Sequence, residues 1–176
     1  MPFRTVEEIT SWRSHEHDEQ VYDLSHLNAH YAEYLEPQKE GLGRHYQFIV
    51  TYSMHCFTTK DYQSKTVDSC GTYSSHKETR LFNKERYELS KGLRGIIESL
   101  GSAKVVCFHT GHGSFATIKV LDVDYFIVFK VFKEKKRLRL HVLSAYPLDR
   151  PYGRIKKINF FTIAYNTLAN KRIRSP

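Results

Sequence analysis

The sequence predicts an α+β fold, in which one main helix packs on a twisted antiparallel sheet. Apolar residues recur at helical spacing over residues 83–100, which indicates an amphipathic helix. The pattern changes after Gly101 to short runs of alternating apolar and polar residues, which are typical of strands. A helix followed by consecutive strands favours helix and sheet layers packed on one core, in a single domain.

The N-terminal half is less regular. Residues 1–20 are polar and charged, and they predict a loose arm ahead of a domain spanning residues 21–176. Within this arm, Thr5 and Glu8 have the spacing of a capped helix start. Aromatic and β-branched residues predict a first strand over residues 45–53, and the polar stretch 58–76 predicts a long loop.

The C-terminal half divides into clearer elements. Asn83 is a plausible cap for the main helix, near residues 84–100. Strands are predicted over residues 104–110, 114–121, 123–133 and 137–146, with a charged turn at residues 133–136. Gly111, His112 and Gly113 are predicted to form a tight connection between the first two of these strands. Residues 159–170 favour a helix capped by Asn159, although a strand is the alternative.

The charge of the chain is its most informative bulk property. Its 176 residues contain 27 Lys and Arg against 19 Asp and Glu, a net charge of +8. Acidic residues concentrate in the first forty positions and basic ones after residue 130. This asymmetry favours a polyanionic partner such as RNA, DNA or an acidic protein, although a basic surface also simply keeps a protein soluble.

Other sequence features limit the class of protein. The chain has no apolar run of membrane-spanning length, so a membrane partner is not expected, and its first residues do not resemble a secretory signal. Three cysteines cannot pair fully, which favours reduced thiols and a cytoplasmic location. Aromatic residues make up 14% of the chain, which argues against disorder.

Candidate chemistry lies in the predicted sheet. Arg137, Arg139 and His141 alternate along one strand, so their side chains are expected to share a face, with the intervening Leu138, Leu140 and Val142 facing the core. Cleavage of RNA without a metal ion needs a base, an acid and cations that hold the phosphate charge. We predict His109 and His141 as acid and base. Phosphate contacts are predicted for Lys130, Arg137 and Arg139, and positioning roles for Ser144 and Tyr146.

The string Leu-Ser-Ala-Tyr-Pro at residues 143–147 closes this basic strand, after a helix and a run of strands. In this respect residues 84–170 resemble the barnase–EndoU–colicin–RelE superfamily of small ribonucleases, many of which are toxins. The resemblance implies RNA cleavage by side chains on the sheet face. The two-histidine-plus-lysine set of the EndoU branch would map onto His109, His112 and Lys130.

Three other groups of residues suggest weaker alternatives. His55, Cys56, Cys70 and His76 are candidate zinc ligands, and Cys56 is a candidate nucleophile. His26 and His30 would share a face if they lay on one helix. The basic tail could grip phosphates non-specifically; its residues are Lys156, Lys157, Lys171, Arg172 and Arg174.

The leading hypothesis is therefore a metal-independent ribonuclease or toxin-like RNA-binding protein, with no cofactor. RNA is a more plausible partner than DNA. The alternative is a non-catalytic regulator or inhibitor, of phage or plasmid type, that docks on an acidic protein or a nucleic-acid complex. The sequence does not predict an oligomeric state.

Overall fold

A computed structural model describes residues 10–38, 41–60, 70–110, 113–120, 123–150, 153 and 156–174. The first half contains seven strands: β1 (His15–His17), β2 (Gln20–Tyr22), β3 (His30–Glu36), β4 (Arg44–Tyr52), β5 (Thr58–Thr59), β6 (Thr72–Ser74) and β7 (Thr79–Phe82). The second half contains α1 (Lys84–Ser90), α2 (Leu93–Glu98), β8 (Val106–Thr110), β9 (Gly113–Val120), β10 (Val123–Glu134), β11 (Arg137–Pro147), β12 (Lys157–Ile158) and α3 (Phe160–Leu168). Two short 3-10 helices cover Ser25–Leu27 and Met54–Cys56.

The predicted α+β architecture is wrong, because the described part of the chain is mostly β and its strands form three separate sheets. The largest sheet has seven strands in the order β12-β8-β9-β10-β11-β4-β3. The antiparallel run β8 to β11 matches the predicted strands closely. The sheet is nevertheless mixed, since β4 pairs in parallel with β11 and brings β3 with it.

The predicted main helix is also wrong, because it is two short helices that separate at Gly92. Asn83 does cap α1, where its side chain accepts a hydrogen bond from the Arg86 backbone N–H. Gly92 offers no side chain to cap α2 and favours the helix less than other residues do. The two pieces then pack on different parts of the molecule, so no main helix covers a single sheet.

The larger sheet has one face covered by helices, which we call the helix face. Phe160 of α3 packs against Tyr34 and Phe48, with ring centroids 4.7 and 5.7 Å apart. The Tyr34 hydroxyl donates to the backbone carbonyl of Ile97 in α2 at 2.6 Å. As predicted, Leu138, Leu140 and Val142 of β11 are buried in this core. Asn159 caps α3 by accepting from the Phe161 backbone N–H, which confirms the predicted C-terminal helix.

The same core continues between the N-terminal segment and the small sheet β5-β7-β6. Trp12 is buried, with its ring 5.1 Å from that of Phe57, and Tyr22 packs against Phe82 and Tyr87. The segment predicted as a loose arm is therefore packed from about Trp12 onward, while residues 1–9 lie outside the described part. None of the described helices has the length and apolar character of a membrane span.

Candidate nucleic-acid interface

The face of the large sheet opposite the helix face, which we call the second face, gathers most of the predicted site residues. Strand alternation places Arg137, Arg139 and His141 there, and an irregularity in the pairing of β10 with β11 adds Ser144 and Tyr146. Phe129 pairs with Val142 and the preceding Val128 pairs with Ser144, so Leu143 is an extra residue in β11. Without this bulge, simple alternation would turn the residues after it away from His141. The structure therefore brings these residues to one face: Lys130, Arg137, Arg139, His141, Ser144 and Tyr146.

His141 is the most unusual group on this face. Only 6% of the residue is exposed, and its Nδ1 lies 2.9 Å from Thr51 Oγ1 on the parallel strand β4. Burial, together with the charges of Arg139, His55 and Lys130, lowers the pKa of His141 to about 4. The imidazole is therefore neutral near pH 7.

The predicted phosphate contacts differ in accessibility. Lys130, the direct cross-strand neighbour of His141, is exposed, as is Arg137. Arg139 is buried instead, and its Nη2 lies 3.0 Å from Glu134 Oε2. Its guanidinium also lies 5.9 Å from the centre of the Phe132 ring. Lys130 and Arg137 are thus free to meet solvent anions, whereas Arg139 mainly shapes the electrostatics around His141.

The structure does not bring His109 to His141. His109 pairs with Ser114, which pairs in turn with Phe129, so the register places His109 on the helix face. Its strand β8 also lies three strand spacings from β11, about 14 Å. Burial lowers the pKa of the half-buried His109. His112, the other histidine implied by the ribonuclease resemblance, lies outside the described residues.

His55, which the sequence suggested only as a weaker alternative, lies just after β4, the strand whose end pairs with β11 beside His141. His55, in the 3-10 helix after β4, contacts Glu78 Oε1 through its Nε2 at 2.8 Å. Arg80 Nη1 lies 3.5 Å from the other Glu78 oxygen. The sequence signal was weak because Glu78 lies 23 residues away, in the turn between β6 and β7. The predicted loop over residues 58–76 is wrong at its two ends, where β5 and β6 form.

A cluster of cations lies at the hairpin end of the large sheet, where β10 turns into β11. Lys133 Nζ donates to the Leu168 carbonyl at 2.9 Å and so ties this hairpin to the end of α3. The Tyr165 ring of α3 has Arg44 at 4.5 Å and Lys171 at 5.2 Å. We call this region the basic end; its cations are Arg44, Lys133, Lys135, Lys136, Arg137, Lys171, Arg172 and Arg174.

Not all residues of the predicted basic tail lie at the basic end. Ile173 packs against the core and so holds the last described residues against the protein. Lys157 instead belongs to β12, at the opposite edge of the sheet and four strands from β11. In the described part of the chain, two cations of this region contact acidic side chains: Arg44 lies 3.9 Å from Glu36, and the neighbouring Arg139 pairs with Glu134.

Comparison with known proteins gives the family of the chain. Residues 14–168 match the YjaZ family. The chain belongs to the YjaZ family. It is 42% identical over 181 residues to Protein YjaZ of Escherichia coli (strain K12), an alignment that covers 97% of this chain and 98% of that protein. No solved structure matches the chain.

The membership in the YjaZ family does not bear on the resemblance to small ribonucleases, which stays a prediction. The structure does bear on the alternative sites. Burial raises the pKa of the Cys56 thiol to about 12, so it is protonated near pH 7 and is a poor nucleophile. Among the described residues of this YjaZ-family chain, no three His, Cys, Asp or Glu side chains are grouped as metal ligands would be. His26 lies in a 3-10 helix and His30 begins β3, so the predicted shared helix face is wrong.

Proposed function

We propose that this chain binds RNA at the basic end and along the adjoining second face. The observation that carries the proposal is the link between two basic segments that are distant in sequence. Lys133 Nζ contacts the Leu168 carbonyl, which brings the β10–β11 hairpin beside the C-terminal residues 171–174. Cations from both segments can therefore contact one polyanion.

The exposed charges of the basic end favour a nucleic acid as the partner. Most cations of the basic end are exposed, and the nearby Glu134 is already engaged by Arg139. Binding of a phosphate backbone to such a surface releases condensed counterions, and this release drives association. Each phosphate contact then adds to the salt dependence of the affinity.

The arrangement of β11 favours a strand of phosphates over an acidic protein surface. The exposed Arg137 and Lys130 lie on one face of the β10–β11 pair, about 13 Å apart along the strands, with the buried Arg139 between them. From the basic end this row continues to His141 and its neighbour Lys130. A linear row of cations can contact the phosphates of an extended single strand. The histidine at the end of this row favours RNA over DNA, because an imidazole can hydrogen-bond the 2′-hydroxyl group that only RNA has.

The proposal includes a cytoplasmic location. Cys56, Cys70 and Cys107 are all buried free thiols, which supports a reducing compartment. The Tyr22 hydroxyl lies 3.6 Å from Cys70 Sγ, so this thiol takes part in the packing of the N-terminal segment.

Anisotropy of a fluorescent single-stranded RNA, measured over a series of salt concentrations, tests the proposal. The variant Lys136→Ala, Arg137→Ala, Arg172→Ala removes three exposed cations from the basic end. The control Lys77→Ala, Lys84→Ala, Lys104→Ala removes three exposed cations elsewhere and has the same net charge. We expect the first variant to lower the slope of log affinity against log salt by about 2. The control should leave the slope within about 0.5 of the parent value.

Two results would overturn the proposal. One is an affinity for RNA that does not change with salt, and the other is an equal loss in both variants. Either result would favour the alternative, in which the chain docks on an acidic protein.

A further inference from the structure

Two histidines from different elements lie near the point where β4 ends beside β11. His141 lies on the second face, against Thr51 and directly across from Lys130. His55 lies in the 3-10 helix that follows β4, two residues after Ser53, whose backbone is hydrogen-bonded to Val142 of β11. The backbone therefore brings the two histidines to the same end of β4 and β11, although they are 86 positions apart in the sequence.

The backbone holds His55 in place. Ser53 donates its N–H to the Val142 carbonyl at 2.9 Å, which fixes the start of the 3-10 helix to the residue after His141. Ser53 Oγ accepts the His55 N–H at 3.2 Å, and Arg86 Nη1 donates to the His55 carbonyl at 3.2 Å. These contacts to β11 and α1 leave little freedom in the position of His55 relative to His141.

The two imidazoles have opposite surroundings. His141 is buried and faces the positive side chains Lys130 and Arg139, which favour its neutral form. His55 is about one-third exposed and contacts the Glu78 carboxylate. The hydrogen bond from His55, together with the charge of Arg80, lowers the pKa of Glu78, so this carboxylate stays ionised. The contact with Glu78 therefore orients the His55 ring through its Nε2.

We propose that His141 and His55 are the base and the acid of metal-independent RNA cleavage on the second face. This inference rests on the RNA binding proposed above. It replaces His109 as the partner of His141, because His109 lies on the helix face. Lys130 is the cation that holds the reacting phosphate over the imidazole of His141.

The proposed step balances without a co-reactant. With Nδ1–H of His141 donating to Thr51 Oγ1, Nε2 accepts the proton of the ribose 2′-hydroxyl. The 2′-oxygen then forms a bond to phosphorus, and the bond from phosphorus to the 5′-oxygen breaks. With Nε2 of His55 held by Glu78, Nδ1 supplies the proton that the leaving 5′-oxygen takes. The products are a 2′,3′-cyclic phosphate and a 5′-hydroxyl.

The experiment compares two substrates in the presence of EDTA. The dinucleotide uridylyl-3′,5′-adenosine needs an acid for its leaving oxygen, whereas uridine 3′-(4-nitrophenyl phosphate) has a leaving group stable as an anion. His141→Ala should lower the rate on both substrates by about 100-fold or more. His55→Ala should lower it by a similar factor on the dinucleotide and by less than about 5-fold on the nitrophenyl ester. His45→Ala, which changes an exposed histidine on β4, is the control and should leave both rates unchanged.

Glu78→Gln separates a positioning role from a purely structural one. Without the carboxylate, the His55 ring loses the acceptor that orients it, so the rate on the dinucleotide should fall by about 10-fold or more, while the rate on the nitrophenyl ester changes by less than about 5-fold. Circular dichroism checks that each variant folds, and His55→Gln and His141→Gln serve as second variants that keep hydrogen-bonding capacity.

The outcomes separate the two proposals. RNA that binds with strong salt dependence but is not cleaved in EDTA overturns the cleavage inference and leaves RNA binding intact. An equal loss on both substrates in His55→Ala overturns the role of His55 as acid. Failure to bind RNA at all overturns the proposed function itself.

Discussion

His141 Nδ1 and Thr51 Oγ1 lie 2.9 Å apart across the parallel pairing of β11 with β4. Both side chains are buried, and the two residues are 90 positions apart in the sequence. This contact fixes the orientation of the imidazole through one nitrogen and leaves the other for further contact. It also sets the end of β4, and therefore His55, beside the same strand.

The burial of His141 predicts a specific loss of stability in acid. Its pKa is about 4 in the folded protein, against an ordinary value of 6.5. The unfolded chain therefore binds more protons between these values, so the stabilisation is complete above pH 6.5 and is lost as the pH falls toward 4. We expect the free energy of unfolding to be lower by about 2 kcal/mol near pH 5 than near pH 7.5 from this residue alone.

Urea unfolding of the parent and of His141→Gln at both pH values measures the contribution of His141 to the free energy of unfolding. Burial also lowers the pKa of His26, His30 and His109, but the pH dependence that these residues cause is common to both proteins. The difference between the two pH values should therefore be about 2 kcal/mol smaller in the variant. Equal differences in both proteins would contradict the buried, neutral state of His141.

The local sequence predicts much of the large sheet but not how its parts are joined. The alternation of apolar and polar residues correctly predicted β11 and the burial of Leu138 and Leu140 in the core. The parallel pairing of β11 with β4 depends on contacts between residues about 90 positions apart, and no local pattern encodes it. The same holds for the bulge at Leu143, which decides the face on which Ser144 lies.

The candidate site shows the same limit. The row of Arg137, Arg139 and His141 follows from strand geometry alone. The partner of His141 does not follow from strand geometry, because His109 and His55 both lie near the end of a strand. Only the order and register of the strands show which of the two lies beside β11. Arg139 was predicted as a phosphate ligand because it is a cation, but its ion pair with Glu134 depends on the hairpin geometry.

Arg86 is predicted to be a major contributor to stability. Its Nη1 donates to the carbonyls of His55 at 3.2 Å and Thr58 at 2.8 Å, and its guanidinium lies 5.2 Å from the centre of the Tyr146 ring. Arg86→Met would leave these part-buried carbonyls without their donor. We expect a loss of about 2–4 kcal/mol in urea unfolding. Arg86→Lys should recover only part of this, since an ammonium does not reproduce the planar fork. A variant Arg86→Met as stable as the parent would contradict this role.

Lys133 is predicted to stabilise the end of α3. Its Nζ donates to the Leu168 carbonyl, an acceptor that the helix itself leaves without a partner. Lys133→Met keeps the apolar stem and should cost about 1 kcal/mol. Hydrogen exchange over the last turn of α3 should also become faster. The exposed Lys136→Met is the matched control, and equal exchange rates in the two variants would refute the link.

Lys135 has a positive φ of 56°, in the left-handed region that most residues avoid. Lys135→Gly removes the steric cost of the side chain at this turn. We therefore expect a gain of about 0.5–1 kcal/mol in the free energy of unfolding. Lys135→Val should instead cost about 1 kcal/mol, because β-branching makes this backbone conformation less favourable. If glycine destabilised the protein more than valine, the turn geometry would be different from the one described.

The most direct test of the account is to locate bound RNA on the protein. A single-stranded RNA containing 4-thiouridine can be crosslinked to the chain by ultraviolet light, and the modified peptides can be identified by mass spectrometry. The account predicts crosslinks in the β10–β11 hairpin and in residues 171–174, because Lys133 joins these segments at the basic end. Crosslinks confined to the N-terminal hairpin and the small sheet, with none at the basic end, would contradict it.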